Sequence, residues 1–416
     1  LAAGEIELHV RGPSAYVVTA DATLSPMKTL LRLVLPSIFT TAALAVYAPI
    51  PEQEQGKALS FRMGASIYYD SNIFGSATGE IESMIYNVSP AVLFNSSISD
   101  QTFLSASYEL SVDHYTDRPG SKDLAGHKFD ARIAHAFSQA TNLDVSEMYQ
   151  ISRNPESALN GVPINVDQSL NLNEFNARFT TNAGEKAGVV FKYRNQDYDY
   201  TNSGLGDSLN RMEQLAGLEL SYAFLPETKL VGEYRYQDIS YNHDGADKDK
   251  QSNFLMAGVD YSPGQKLTVS SRLGFEARSR SGESDTTVPH VELSARYNYA
   301  EQSYFATGYT YSIQEPSDTT HYTDSKVNSF FINLQQALSP MVTASGSLTY
   351  EPAELLGRGG HPSINEDTTR FGLALSWLPD KNWTISATYD LDHVNSDDPS
   401  RGQDRTRLGV SARLVF

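Results

Sequence analysis

From Leu59 to Phe416 this chain repeats a period of two. Apolar and polar residues alternate, as they do along a strand whose two faces meet different surroundings. Trp383, Ile385, Ala387, Tyr389 and Leu391 are apolar, and Thr384, Ser386, Thr388, Asp390 and Asp392 between them are polar. Phe371, Leu373, Leu375 and Trp377 alternate with Arg370, Gly372, Ala374 and Ser376, and Val291, Leu293, Ala295 and Tyr297 with Glu292, Ser294, Arg296 and Asn298. A chain patterned this way throughout folds as sheet.

A soluble sandwich also alternates, with its polar face in water. Three features point instead to a membrane. The alternating segments run to about 9–15 residues, longer than common globular strands and long enough to cross a bilayer when tilted. Aromatic residues lie on the apolar phase near segment ends, as in Tyr222 and Phe224, Tyr234 and Tyr236, Tyr297 and Tyr299, and Tyr309 and Tyr311, the placement of an interfacial girdle. The connections alternate in length. Strands are expected to begin near 59, 83, 101, 124, 141, 167, 185, 209, 227, 250, 265, 286, 302, 325, 341, 364, 382 and 403. Short turns such as Leu225–Glu227 and Ala300–Glu301 alternate with longer acidic or Gly-rich loops at 70–82, 116–123, 153–166, 201–208, 242–249, 280–285, 316–324, 352–363 and 394–402. The expectation is an all-β chain: a transmembrane antiparallel barrel of the outer-membrane type with about 18 strands, 16 as the alternative, short periplasmic turns and longer extracellular loops. Only closure satisfies every strand edge in lipid.

Composition narrows the function. Cys is absent, which excludes disulfides, thiolate metal sites and a Cys nucleophile. The net charge of −18 argues against a nucleic-acid partner. The nine His residues show no ligand spacing, so no metal and no cofactor is expected. Ser and Asp are too abundant for a Ser/His/Asp set to mean anything without geometry, and the expectation is that the chain is not an enzyme.

The N-terminal region reads differently. Met27-Lys28-Thr29-Leu30-Leu31-Arg32 is basic, Leu33–Leu44 is apolar, and Ala43-Leu44-Ala45 is a small-x-small site. This predicts a signal peptide at 27–45, cleaved after Ala45 or at Ala48. Residues 1–26 then read as upstream translation foreign to the native protein. Residues 46–58 form a short periplasmic lead, and 59–416 form the barrel.

At the C-terminus, Leu408, Val410, Ala412, Leu414 and Phe416 share one phase, and Arg405, Arg407, Gly409, Ser411 and Arg413 share the other. A terminal Phe on such a strand resembles the β-signal read by the outer-membrane assembly machinery.

Near the start, Tyr68-Tyr69-Asp70-Ser71-Asn72-Ile73-Phe74 closes the first strand, followed by Val88-Ser89-Pro90 and Ser107-Tyr108. With Tyr69, Asp70, Asn72, Ile73 and Phe74 in these places, the opening resembles the β-barrel porin type 2 family. The resemblance implies an outer-membrane barrel and, because several relatives lie in exopolysaccharide loci, passage of polymer through the outer membrane. A local reading also exists: Asx residues commonly start loops.

If the apolar phase faces lipid, the other phase lines the lumen. It carries Arg194, Arg235, Arg272, Arg278, Arg296, Arg370, Arg407 and Arg413, with Glu109, Glu219, Glu233, Glu276, Glu292 and Asp390. These either sort solutes by charge at a constriction or form ion-pair ladders that stiffen the wall; the ladder is the favoured expectation. The excess negative charge then falls to the loops. The leading function is a conduit for polysaccharide export. The alternative is a diffusion porin for small hydrophilic solutes, with 153–166 or 352–363 folded inward; a structural or adhesive surface barrel is a third reading. Expected partners are outer-membrane lipid and lipopolysaccharide, the barrel assembly machinery, and periplasmic polysaccharide-export proteins.

Overall fold

The computed structural model describes residues 58–153 and 169–416. The signal peptide at 27–45, the residues before it and the lead up to 57 lie outside the described residues, as does nearly all of the 153–166 loop.

The described residues form eighteen strands. They are β1 (Leu59–Asp70), β2 (Ser83–Ser99), β3 (Thr102–Tyr115), β4 (Asp123–Ala136), β5 (Thr141–Ser152) and β6 (Leu170–Ala183). Then come β7 (Ala187–Tyr200), β8 (Arg211–Leu225), β9 (Thr228–Tyr241), β10 (Lys250–Tyr261), β11 (Leu267–Arg280) and β12 (Thr286–Ala300). The last six are β13 (Ser303–Gln314), β14 (Tyr322–Ser339), β15 (Val342–Gly357), β16 (Ile364–Trp377), β17 (Trp383–Ser396) and β18 (Gln403–Val415). Each strand begins within three residues of its expected start. Each pairs antiparallel with its sequence neighbours, and β18 pairs with β1 from Arg62↔Val415 to Asp70↔Arg407. The barrel is closed, and none of these eighteen strands is left as an edge.

The two phases face opposite ways. On β10, Leu255 is 69% exposed and its neighbour Met256 is 2% exposed. The outward phase is apolar (Phe275, Leu348, Leu373, Val410) and the inward phase is mixed and polar, the inverse of a soluble core. Pro90 sits inside β2, where it aligns with Met63 on β1, while the ladder to β3 passes from Val88↔Val112 to Ala91↔Glu109. A residue without an N–H leaves a gap on one side only, which the rest of the ladder bridges.

At one rim the connections are two to five residues long, as at 226–227, 301–302 and 340–341. Gly184 and Gly264, with φ of 79° and 80°, supply the left-handed residue such turns need. At the other rim the connections are longer, and both ends of the barrel sheet, Leu59 and Val415, lie at the short-turn rim. The described long loops (71–82, 116–122, 201–210, 242–249, 281–285, 315–321, 358–363 and 397–402) carry thirteen acidic and five basic residues, so much of the negative charge sits there.

One loop carries a short helix, α1 (Ser203–Leu209), whose first turn is capped by the Asn202 side chain accepting from the Gly204 and Leu205 amides. Its Leu205 and Leu209 pack on Leu170, Tyr198 and Tyr200, which belong to the inward phase. Burying each Leu is worth about 1.5–3 kcal/mol, enough to draw the helix into the mouth. There it meets other loops. The Thr319 hydroxyl donates to Ser208 O at 2.7 Å, and Lys248 Nζ donates to Asp207 O at 3.2 Å. Arg358 Nη1 donates to Asp247 O at 2.6 Å, and Arg401 Nη2 to Ser317 Oγ at 3.1 Å.

Candidate functional site

The lumen is the candidate site, and its wall has two unlike parts. The inward phase of β7–β12, joined by β14, carries an ion-pair ladder. Lys192 on β7 donates to Glu219 on β8 at 2.7 Å and to Glu233 on β9 at 2.9 Å. Arg235 grips Glu233 at 2.8 and 3.0 Å, then reaches Glu292 on β12 at 2.6 and 3.2 Å. Arg272 holds Asp260 at 2.8 and 3.2 Å and lies 3.6 Å from both Glu219 and Glu233. His290 Nε2 contacts Glu292 at 3.0 Å.

Toward the long-loop rim the ladder continues. Arg278 donates to Glu276 at 2.9 Å, to Asp324 at 2.7 Å and to Glu315 at 3.1 Å. Lys250 donates to Glu315 at 2.6 Å, Tyr241 Oη to the same carboxylate at 2.5 Å, and Arg280 to Asp324 at 2.9 Å. Glu276 and Asp324 are 0% exposed and Glu233 2%. Such buried pairs are not a large net gain over apolar packing, but removing one partner strands a charge and costs about 3–5 kcal/mol. Lys192, Arg235, Arg272, Arg278, Lys250 and Arg280 face Glu219, Glu233, Asp260, Glu276, Glu292, Glu315 and Asp324, so the charges nearly cancel and little field remains for a passing ion.

Glu315 begins the β13–β14 loop, and Ser317 and Thr319 after it are buried as well. Burial alone pushes the Glu315 carboxyl up, but Lys250 and Arg278 beside it outweigh that and hold it below the ordinary glutamate range. This loop folds inward and meets the helix-bearing 201–210 loop there. The candidate at 352–363 is otherwise: β15 runs on to Gly357, and Gly359 to Pro362 are exposed. Glu315 draws its loop inward because it completes the cation-rich end of the ladder, which neither Gly357-Arg358-Gly359-Gly360 nor its neighbours can do.

On β15–β18, β1 and β2 a patch of the wall is rich in small hydroxylated residues, beside the ion pairs Arg370–Glu351, Arg407–Asp392 and Asp70–Arg405 that those strands also carry. A cavity of 220 Å³ is lined by Ser66, Asn87, Ser89, Thr343, Ser345, Ser376, Thr384, Ser386, Thr388 and Ser411, together with Arg413, Gly64, Ala65, Ala374, Leu378 and Ala412. Ser376 and Ser386 hydroxyls bond at 2.9 Å. The period of two places the hydroxylated residues inward; nothing in it says that they gather on one side, opposite the ladder.

The charged candidates therefore separate. Arg235, Arg272, Glu233, Glu276 and Glu292 are in the ladder. Arg370 lies 3.5 Å from Glu351 and Arg407 3.0 Å from Asp392, two local pairs elsewhere in the wall. Arg296 stacks over the Tyr304 ring at 3.7 Å and donates to Asn298. Arg194 stands on the inward phase of β7 outside the ladder. These arginines do not form one shared constriction. Lys192, Lys250, Asp260, Glu315 and Asp324 were not singled out in the sequence. Lys192 and Lys250 do hold inward positions in the alternation, but Glu315 lies past its strand. Among the described residues no group of three or more His, Asp or Glu side chains is placed to hold a metal ion.

The two terminal motifs meet at the seam. Asp70 is fully buried and accepts from Arg405 Nε at 3.0 and 3.1 Å and from the Asn72 amide at 3.0 Å. Asn72 donates to Ser76 O at 2.8 Å and to Asp404 O at 3.1 Å. Ile73 packs with Ile85 and Tyr115, with Phe74 against them, while Tyr69 points outward and bonds Glu82 at 2.6 Å. The Asx turn of the local reading is present, and it is also tied to the last strand. Phe416 faces outward, stacks on Phe61 with ring centroids 6.0 Å apart and exchanges two 2.9 Å backbone bonds with it. Leu408, Val410, Ala412 and Leu414 share its outward phase.

Solved structures similar to this chain include OccK5 (OpdH) of Pseudomonas aeruginosa, 13% identical over 86% of this chain and 98% of that one, with a TM-score of 0.48. OccAB4 of Acinetobacter baumannii is 11% identical over 87% and 99%, with a TM-score of 0.47. A bacterial polysaccharide outer membrane secretin is 9% identical over 86% and 97%, with a TM-score of 0.35. Likeness at this level says nothing of cargo. No curated protein matches the chain in sequence. The family described as "Putative beta-barrel porin 2" matches residues 60–416, the whole of the barrel with its seam motif and closing strand, and the chain belongs to that family.

Proposed function

We propose that this porin-like outer-membrane barrel is a conduit that passes a hydrated polysaccharide outward. The observation that carries the reading is the hydroxyl-rich cavity in the lumen wall. Ser, Thr and Asn side chains there offer small, uncharged donors and acceptors around a 220 Å³ cavity. A polyol chain can exchange its water for such groups and move on, because neutral hydrogen bonds in a wet channel are worth only about 0.5–1.5 kcal/mol net. The ladder opposite is rigid and charge-balanced, so it holds the wall open without trapping the chain. Eighteen strands suffice for an aqueous bore. In this reading the short-turn rim faces the periplasm, where export proteins deliver the polymer.

A second reading, a diffusion porin for small hydrophilic solutes, is favoured by the inward-folded 315–321 loop, which narrows the mouth. Deleting the gene separates the two. Loss of surface polysaccharide with small-solute uptake intact supports export. Intact polysaccharide with impaired uptake overturns it in favour of the porin.

A further inference from the structure

We infer that Arg194 and Arg296 are the anion-contact residues of the lumen, and that the saccharide chain passing them bears carboxylates. The inference rests on the conduit reading and names the chemistry of its cargo.

The ladder cations are matched by carboxylates, and so are Arg132 with Asp144, Arg370 with Glu351 and Arg407 with Asp392. Arg194 differs. It lies near the middle of β7, half-buried on the inward phase, and its cross-strand neighbours, Asn176 and Leu215, are uncharged. Among the described residues its side chain makes no hydrogen bond and no ion pair. Arg296 sits nearer the short-turn rim on β12, exposed on the inward phase. Its guanidinium lies 3.7 Å from the Tyr304 centroid and bonds Asn298, with no carboxylate at ion-pair distance among the described residues. Stacking on the ring holds the fork extended and leaves an edge of it open.

Two guanidinium groups with unspent charge, at different depths of one bore, suit a chain carrying acidic groups at intervals. A carboxylate accepts two parallel bonds from such a fork, which a neutral sugar cannot match. The rims favour one direction. The described long loops hold thirteen acidic and five basic residues, whereas the short turns hold five and three. An anion approaching the long-loop rim is repelled within a Debye length of about 8 Å, so entry is easier from the short-turn rim.

The test uses the purified full-length barrel in a planar bilayer, with oligogalacturonate and a maltooligosaccharide of equal length as probes. The wild type is expected to prefer chloride over potassium and to be blocked by the acidic oligomer at about tenfold lower concentration than by the neutral one. The double variant Arg194→Ser/Arg296→Ser is expected to lose both differences. Should that variant fail to fold, Arg194→Gln, which breaks no side-chain hydrogen bond or ion pair among the described residues, decides the case by a partial loss. A conducting variant with unchanged selectivity and block overturns the inference and leaves the conduit standing. A wild-type barrel that carries no current overturns the conduit and this inference with it.

Discussion

Asp70 and Arg405 lie 335 residues apart in sequence and form a buried ion pair across the seam where the first strand meets the last. Around them Ser71 N bonds Thr406 O at 3.0 Å and Thr406 N bonds Ser71 Oγ at 2.8 Å. The pair fixes the register of closure at the long-loop rim, as the Phe61–Phe416 stack does at the other.

Arg405→Ala is therefore expected to destabilise the closed barrel by about 3–5 kcal/mol, because it leaves Asp70 charged and buried. Heat-modifiable gel mobility reads this as unfolding at a lower temperature. The exchange Asp70→Arg/Arg405→Asp should recover part of the loss. An Arg405→Ala barrel with wild-type heat resistance would show that the seam closes without the pair.

Removing Phe416, or changing Leu414 to Asp, is expected to slow insertion and expose the chain to periplasmic proteases. Leu414 faces outward, where an Arg or Lys costs about 2–4 kcal/mol at the bilayer midplane, a carboxylate less, and either less still near the interface. The amount of folded barrel in outer-membrane fractions measures it. Unchanged levels in both variants would argue that the terminal strand is not read as a signal.

Arg235 joins Glu233 to Glu292 across three strands. Arg235→Ser is expected to lower stability by about 3–5 kcal/mol because it strands the Glu233 and Glu292 carboxylates, while Arg235→Ser/Glu292→Gln, which keeps the ladder's charge balance, is expected to leave ion selectivity nearly as it was. Reversal potential and thermal unfolding, measured on both variants, separate the two effects. A large change in selectivity in the double variant would make Arg235 a contact for cargo.

The mouth should respond to acid. Lys250 and Arg278 hold Glu315 below the ordinary glutamate range against the opposing effect of burial. A depressed folded value stabilises the inward loop above the unfolded pKa of about 4.3, and that stabilisation is lost as the pH falls through the folded value. Conductance is thus expected to be steady at neutral pH and to rise only as the pH falls below the ordinary glutamate range, as the loop releases. Glu315→Gln should give the higher conductance already at neutral pH. A flat profile in the wild type would exclude Glu315 as the latch.

Much of the barrel was legible because strand period is a local property. Val291, Leu293 and Ala295 alternate with Glu292, Ser294 and Arg296 whatever the rest of the chain does, and every short turn resets the direction. The lipid-facing position of Phe416 and the inward position of Arg235 follow from that parity alone. Partnership does not. Arg235 and Arg296 have the same chemistry and both face inward, yet one is bound between two glutamates and the other lies on a tyrosine ring. The difference arises from stagger and curvature, which decide what stands within reach across several strands. The same holds for Asp70 with Arg405, brought together only by closure, and for Glu315, whose loop turns inward because cations on β10 and β11 converge there. The sequence by itself determined the strands and which face each residue presents, since alternation against lipid permits no other phase, while closure of the barrel fixed their number at eighteen rather than sixteen. Which lumenal charges cancel, which stay free and where the bore is lined with hydroxyls was decided by the tertiary structure, because ion pairing falls off with distances that only the closed barrel sets.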